Sequence, residues 1–234
     1  MRKHESNKVR KKRDRERASK RDRRETEGRT KEIETNNLKL TADLGQLEEN
    51  ELDSMISHID LNSLSEHNGQ TVKRTGSQTQ DDLQRIPTFS NLTRTIMDVS
   101  KHILNEQGYM GEIEITNMWG NILRPQSQRA HAPHSHSNNF LSGVFYIKTS
   151  DDTSPIQFFD PRPQSSVLKP RKKEYNRLNS DMAQFNSETG WGLVLTSWLV
   201  HWVPETKDER ISIAWNVIVR GEYGEPNTLQ NAHI

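Results

Sequence analysis

The stretch RISIAWNVIVR, residues 210–220, alternates polar and apolar side chains and predicts a central β-strand. Successive side chains of a strand point to opposite faces. One face is apolar and carries Ile211, Ile213, Trp215 and Val217. The other face carries Arg210, Ser212, Ala214 and Asn216. An inward guanidinium without a partner is costly, so the sequence predicts a bound anion near Arg210. A carboxylate suits the planar donor pair of arginine, and the Ser212 hydroxyl can reach the same anion.

Short runs rich in β-branched and aromatic residues precede this strand. They are EIEITNMW, FLSGVFYIK, PIQFFDP and GWGLVLTSWLVHWVP, and turn-forming residues separate them. A helix precedes them, because apolar residues follow one another at helical spacing from Leu92 to Ile103, Ser90 can cap its start and Gly108 can end it. A helix followed by five or more strands is typical of a β-sandwich or barrel with the helix packed outside.

The beginning of the chain has a different composition. Residues 1–32 hold 15 Lys and Arg against 7 Asp and Glu, a net charge of +8, while the remaining residues hold 18 against 25, a net charge of −7. Ile33, Leu40 and Leu47 fall seven apart, but about two heptads are too few for a coiled coil. We therefore predict a basic arm over residues 1–61, disordered or transiently helical, which can attract phosphates and so nucleic acid through residues 1–32. A polar linker over residues 62–84 and a folded domain over residues 85–234 follow it.

The composition also limits the chemistry. The chain has no cysteine, so a metal site must use His, Asp, Glu or amide ligands. There is no apolar run long enough to span a bilayer and no signal-peptide core, so we expect a cytoplasmic protein without membrane attachment.

Three histidines cluster in HAPHSHSNN, residues 131–139. In an extended chain His134 and His136 point to the same face, and Asn138 follows on that face. Two imidazoles are too few for a stable site, and His201, at the end of the longest apolar run, is the third candidate. Neutral imidazoles suit Fe, Mn, Ni or Zn. His131 is the least favoured of the cluster, because Pro133 stands two residues after it.

The order His-x-His, then His, then Arg-x-Ser resembles the Fe(II)/2-oxoglutarate-dependent oxygenases. The segments NMWGN, HSHSNNFLSGVFYIK, FFDPRP, LTSWLVHWVPE and RISIAWN are similar, more narrowly, to the 2-oxoglutarate/Fe(II) oxygenases found in bacteria and tailed phages. The resemblance runs from about residue 110 to 220 and covers about half of the chain.

This resemblance implies a double-stranded β-helix, or jelly-roll, barrel and an oxygenase that couples decarboxylation of 2-oxoglutarate to oxidation of an unknown substrate by O2. It implies that His134 or His136, with His201, holds Fe(II). It implies that Arg210 and Ser212 bind the distal carboxylate of 2-oxoglutarate. Three further residues match positions at the cosubstrate or the pocket: Tyr146, Trp119 and Asn121. Asp160 and Arg162 match a family motif to which no role is assigned.

One departure from the family pattern leaves alternatives open. The common iron site has two histidines and a carboxylate, whereas here no Asp or Glu stands two residues after a clustered histidine. The ligands are then either His134, His136 and His201, or two histidines and the amide of Asn138. A cupin-like dioxygenase with three histidines and no cosubstrate is a rival, although it gives Arg210 no anion. A nucleic-acid-binding protein with an inert barrel is another.

Overall fold

The computed structural model of the chain describes residues 33–35, 38–40, 47–62, 77–126, 130–162, 167–176 and 179–234. The helices are α1, Glu49–Asn62, and α2, Ser90–Glu106, with 3-10 turns at Leu83–Arg85 and Pro87–Phe89. The strands are β1 Ile33–Thr35, β2 Leu38–Leu40, β3 Ser77–Gln78, β4 Glu112–Leu123, β5 His131–His134, β6 Leu141–Lys148, β7 Ile156–Phe159, β8 Met182–Phe185, β9 Gly192–Thr196, β10 His201–Val203, β11 Arg210–Arg220, β12 Glu222–Tyr223 and β13 Ala232–His233.

Two antiparallel sheets form the body of the domain. The major sheet has the order β3-β4-β11-β6-β9, and the minor sheet has the order β5-β10-β7-β8. Buried side chains of both sheets meet in one cluster, which includes Val144 and Leu195 of the major sheet and Phe158 and Val203 of the minor sheet. The sheets therefore face each other, in the arrangement of a jelly-roll barrel.

Strand β11 is central and shows the predicted alternation. It pairs with β4 on one side and with β6 on the other. Its apolar residues join the cluster that packs against the helices, where Trp215 is fully buried. Arg210, Ser212 and Ala214 face a cavity between the two sheets. The strand thus separates an apolar outer layer from a polar interior.

Helix α2 lies where the sequence predicts it, and its buried residues include Leu92, Ile96 and Ile103. Ser90 is the first helical residue rather than a cap, since Phe89 takes the N-cap position without a side-chain hydrogen bond. Gly108 follows the helix with φ +73°, a conformation that costs glycine little and often ends helices.

The folded region begins earlier than the predicted residue 85. Helix α1 falls inside the segment predicted as a disordered or transiently helical arm, and its Met55 and Ile59 are fully buried in the outer core. Gly120 of β4 permits the close approach, because a Cβ there would lie 2.9 Å from Ile59 Cδ1. Strand β3 and buried Leu83 likewise fall inside the predicted linker.

Ile33, Leu40 and Leu47, which are spaced seven apart, do not lie on a common helix in the described part of the chain. Ile33 and Leu40 pair across the antiparallel β1–β2 hairpin. Residues 1–32, which carry the basic charge and the predicted nucleic-acid contact, lie outside the described residues.

Replacement of Ile59 by alanine tests the position of α1. We expect Ile59→Ala to lower the free energy of unfolding by about 2–5 kcal/mol, because it leaves a cavity between α1 and the sheet. Ser54→Ala, on the exposed face of the same helix, serves as the control and should change it by less than about 0.5 kcal/mol. Equal denaturant midpoints for the two variants would show that α1 does not pack on the sheet.

Candidate active site

Three histidine side chains converge between the sheets. His134 ends β5 and His201 begins β10, and the two residues are register partners. His136 follows β5 by two residues, and its backbone N–H donates to the Ser197 carbonyl at 2.8 Å. One nitrogen of each ring lies within 4.8 Å of the other two, and the Nε2 atoms of His136 and His201 are 3.4 Å apart. Three imidazoles at this spacing can bind one metal ion.

Two of the rings are oriented by backbone carbonyls. His134 Nδ1 lies 2.7 Å from the Ala132 carbonyl oxygen, and His201 Nδ1 lies 2.9 Å from the Leu199 carbonyl oxygen. A carbonyl oxygen only accepts, so in the neutral rings Nδ1 carries the hydrogen and Nε2 presents its lone pair. Such carbonyl partners commonly fix the orientation of metal-binding histidines.

Burial keeps His136 and His201 neutral. It lowers the pKa of His136 to about 4, with a further contribution from the charge of His201. Burial also lowers the pKa of His201 to about 4. Neutral imidazole is the form that binds metal, so both rings are ready as ligands near pH 7.

The structure does not place Asn138 with the histidines. Strand β5 ends at His134, and Asn138 is an exposed turn residue with φ +62°. The extended face that the sequence predicts through Asn138 is therefore interrupted, which removes the geometric reason for an amide ligand. Within the described ranges, no carboxylate belongs to the histidine group.

A second feature of the same cavity is a buried guanidinium. Arg210 is 1% exposed, and its Nη1 donates to Ser212 Oγ at 3.1 Å. Its guanidinium carbon lies 4.8 Å from the centre of the Tyr146 ring. Its Nε has no hydrogen-bond partner among the described residues. The neighbouring Glu209 is bonded to Arg124 and Lys148, at 2.5 and 2.7 Å, rather than to Arg210.

Tyr146 lies beneath Arg210 and is buried. Burial raises the pKa of its hydroxyl, although the nearby Arg210 charge acts in the opposite direction. In the part of the chain that the structure describes, no group accepts a hydrogen bond from this hydroxyl. The cavity beside these residues has a volume of about 300 Å³, and both the three histidines and the Arg210–Ser212 pair line it.

His131 also lines the cavity, although the sequence favoured it least. Its Nε2 is buried, and no described residue bonds to it. Burial, with a smaller contribution from the Arg210 charge, lowers its pKa to about 4. Pairing of ligands two residues apart in the sequence sets His131 aside, because Pro133 stands two residues after it.

The polar end of the cavity carries an amide cluster. Asn121 Oδ1 accepts hydrogen bonds from Gln78 Nε2 at 2.7 Å and from Trp119 Nε1 at 3.1 Å. All three residues line the cavity, and Trp119 and Asn121 are the two for which the family resemblance implies a place at the pocket. Because both bonds end on Oδ1, neither of them uses the amide hydrogens of Asn121. Gln78 was missed since it falls in the predicted linker.

A buried network of side-chain hydrogen bonds leads to Ser197, the residue that holds the His136 backbone. Ser142 Oγ donates to Asn216 Oδ1 at 2.7 Å and is 2.7 Å from Ser197 Oγ. Asn216 Nδ2 donates to Asn117 Oδ1 at 2.7 Å. The network fixes Ser197, whose carbonyl holds the His136 backbone.

Asp160 and Arg162 are not part of the cavity lining. The two side chains pair with each other, with Arg162 Nη2 2.6 Å from Asp160 Oδ2. The motif therefore shapes a turn after β7.

Comparisons with known proteins agree with this geometry. Residues 117–216 match the model of the family described as "Putative 2OG-Fe(II) oxygenase". No curated protein matches the chain. Among solved structures, the alpha-ketoglutarate-dependent epimerase SnoN from nogalamycin biosynthesis is similar, with a TM-score of 0.56, 11% identity, and coverage of 81% of this chain and 82% of that one.

Two further structures share the fold. A prolyl-4-hydroxylase from Pseudomonas putida has a TM-score of 0.52 and 13% identity over 78% of this chain and 93% of that one. EvdO2 from Micromonospora carbonacea var. aurantiaca, complexed with 2-oxoglutarate, has a TM-score of 0.55 and 9% identity over 88% of this chain and 91% of that one. The predicted fold class, a mainly β jelly-roll barrel with packed helices, is confirmed.

The outcome for His201→Ala separates a metal centre from a chance cluster. We expect the variant to lose Fe(II) binding, because His201 contributes the most buried of the three ring nitrogens, and to keep its circular dichroism spectrum. Iron per chain is measured after anaerobic loading and desalting. His102→Ala, an exposed histidine on α2, and Asn138→Ala should both retain iron. Unchanged iron content in His201→Ala would disprove the assignment.

Proposed function

We propose, from the match of residues 117–216 to the model of the family described as "Putative 2OG-Fe(II) oxygenase", that this cavity couples decarboxylation of 2-oxoglutarate to hydroxylation of a second substrate by O2. The predicted family resemblance, the enzyme class and the pair of cofactors, Fe(II) and 2-oxoglutarate, agree with that family. The roles of single residues and the hydroxylation are our proposal.

The buried Arg210 carries the proposal. A guanidinium inside a barrel must find an anion, and the described carboxylates next to it in sequence are engaged elsewhere. The Nε of Arg210 and the hydroxyl hydrogen of Tyr146, which have no acceptor among the described residues, are left as donors for one carboxylate beside the Arg210–Ser212 bond. 2-Oxoglutarate has a distal carboxylate of this kind, so the residues fit the cosubstrate. The buried His131 Nε2 offers a further contact to it.

The three histidines fit the metal. Each presents a nitrogen to a common point, and two of them are held there by backbone carbonyls. When bound, Fe(II) and 2-oxoglutarate together supply the activation of O2 that oxidises the substrate. Because all three ligands are neutral, they leave the ion with its full charge, whereas two histidines and a carboxylate would offset part of it. This charge favours binding of the anionic cosubstrate beside it.

The amide cluster of Gln78, Trp119 and Asn121 fits the substrate side of the cavity. The two bonds to Asn121 Oδ1 do not use the amide hydrogens of Asn121, and the Trp119 ring centre lies 6.0 Å from that of His136. We assign these groups to orienting the oxidised group near the metal.

One rival keeps an observation in its favour. Three histidines without a carboxylate are also the ligand set of the predicted cupin-like dioxygenase that needs no cosubstrate. That reaction gives the buried Arg210 no anion to bind, so we favour the 2-oxoglutarate reaction. No helix in the described part of the chain is long and apolar enough to cross a membrane. A cytoplasmic location stays a prediction from the sequence.

Arg210→Lys distinguishes the two reactions. Lysine keeps the charge but loses the planar pair of donors. We expect the 2-oxoglutarate concentration for half-maximal succinate formation to rise at least about tenfold, on the order of one charged hydrogen bond. Iron content should stay the same, because Arg210 is not a ligand. Arg220→Lys, at the exposed end of the same strand, is the matched control.

An unchanged dependence on 2-oxoglutarate in Arg210→Lys would overturn the role of Arg210. Oxygen consumption by the parent protein at full rate without 2-oxoglutarate would favour the three-histidine dioxygenase instead.

A further inference from the structure

The loop between β7 and β8 starts beside the metal group. Phe158 of β7 pairs with His201, and the Phe159 N–H donates to the Val200 carbonyl at 3.1 Å. The base of the loop is closed by the Asp160 N–H, which donates to the Asp181 carbonyl at 2.9 Å. Adjacent strands lie about 4.8 Å apart. The loop therefore leaves the minor sheet at the end where His201 lies.

This loop is basic. Residues 167–176 carry Lys169, Arg171, Lys172 and Lys173 against a single acidic residue, Glu174. The four cations line a concave surface of about 670 Å³. Among the described residues only Lys169 of the four has a carboxylate partner, Asp181 at 3.0 Å. Arg162, Asp160 and Asp181 also line this surface, so its lining carries five cations against two carboxylates, and this excess of positive charge suits a polyanion.

Exposed apolar side chains accompany these cations. Phe159 and Met182 pair across β7 and β8, and Val200 lies beside Phe159, so the three share the outer face of the minor sheet. They are 36%, 44% and 41% exposed. Trp198 is 57% exposed, and it stands between Ser197 and Leu199, whose carbonyls hold the His136 backbone and the His201 ring. Tyr175 in the loop is 78% exposed, and Lys172 Nζ lies 4.9 Å from its ring centre.

We propose that this basic and aromatic rim, formed by Phe159, residues 167–176, Met182, Trp198 and Val200, binds single-stranded nucleic acid and presents it to the cavity as substrate. The role of the nucleic acid as substrate rests on the proposed function, whereas its binding to the rim does not depend on that function. Cations along the path of a nucleic-acid strand bind its phosphates, and exposed aromatic rings stack on its bases. An acidic peptide would use the cations but has no need for the rings.

Charge segregation supports a polyanion. Outside residues 1–32 and 167–176 the chain has 14 Lys and Arg against 24 Asp and Glu. An anionic polymer is repelled by such a body and attracted to two segments only, and one of them borders the candidate active site.

The test measures fluorescence anisotropy of a labelled 15-nucleotide single-stranded DNA of mixed sequence with the full chain, without iron, as a function of salt. Arg171→Ala with Lys173→Ala should reduce the slope of log affinity against log salt by about 1.4, the value for two phosphate contacts to a single strand. Lys101→Ala with Lys207→Ala removes two exposed cations elsewhere and should leave the slope unchanged. Trp198→Ala should weaken binding about tenfold, whereas Tyr109→Ala, another exposed aromatic, should not.

Other outcomes overturn the proposal. Equal slopes for the two double variants would mean that the rim makes no phosphate contact and that binding arises elsewhere, for instance at residues 1–32. A 15-residue polyglutamate peptide that competes as strongly as the DNA, with Trp198→Ala silent for both, would identify the rim as a site for acidic proteins. Succinate formation from 2-oxoglutarate, measured separately with iron and without DNA, tests the proposed function alone. Absence of succinate formation would contradict the proposed function but would not affect the result of the DNA-binding measurement.

Discussion

The buried guanidinium of Arg210 is the charge around which the interior is arranged. Taking an unneutralised cation out of water costs several kcal/mol unless other groups replace the lost hydration. Here Ser212 accepts one of its hydrogen bonds and the face of Tyr146 lies against it. No carboxylate from the described residues completes the set, which leaves an anion to do so. The strand that carries Arg210 must therefore be polar on its inner side while its outer side remains a protein core.

Because the inner face of β11 is polar, much of the apolar core of the major sheet lies on its outer face. Trp215 is fully buried on the outer face of β11, and Gly143 of the neighbouring β6 makes room for it, since a Cβ at residue 143 would lie 2.2 Å from the Trp215 ring. Helices α1 and α2 then cover this face, and their side chains form one cluster with it. The outer core holds the major sheet in place, so the inner face can carry polar groups without contributing much to stability. Rigid support of this kind is what a site of several converging side chains needs.

Much of this arrangement was predictable from local pattern. The alternation in residues 210–220 matches the two faces of β11. The three histidines selected from the sequence lie together, although β5 ends at His134 and does not carry His136. What the sequence could not predict depends on packing. Helix α1, ENELDSMISHIDLN, is largely polar and buries few apolar residues, so its composition is that of a solvated segment. Its position is decided by a sheet that passes close enough at Gly120 to receive Ile59.

The other differences between the predicted and the observed site also depend on contacts that spacing along the sequence does not show. Asn138 was placed by assuming that the strand continued, but the backbone turns there with a positive φ, which asparagine tolerates better than most residues. His131 and Gln78 enter the cavity through the pairing of β5 with β10 and of β3 with β4. Pairing between distant segments cannot be read from spacing along one of them.

The register of His134 opposite His201 has a consequence for the edge of the minor sheet. Strand β5 is four residues long, stands at the sheet edge and has β10 as its sheet neighbour. A short edge strand held from one side is a natural place for local opening. An ion bound across the two histidines would tie β5 to β10 by a bond independent of the backbone ladder. Metal binding would thus slow the hydrogen exchange of the β5 amides, because the ion stabilises the pairing of this edge strand with β10.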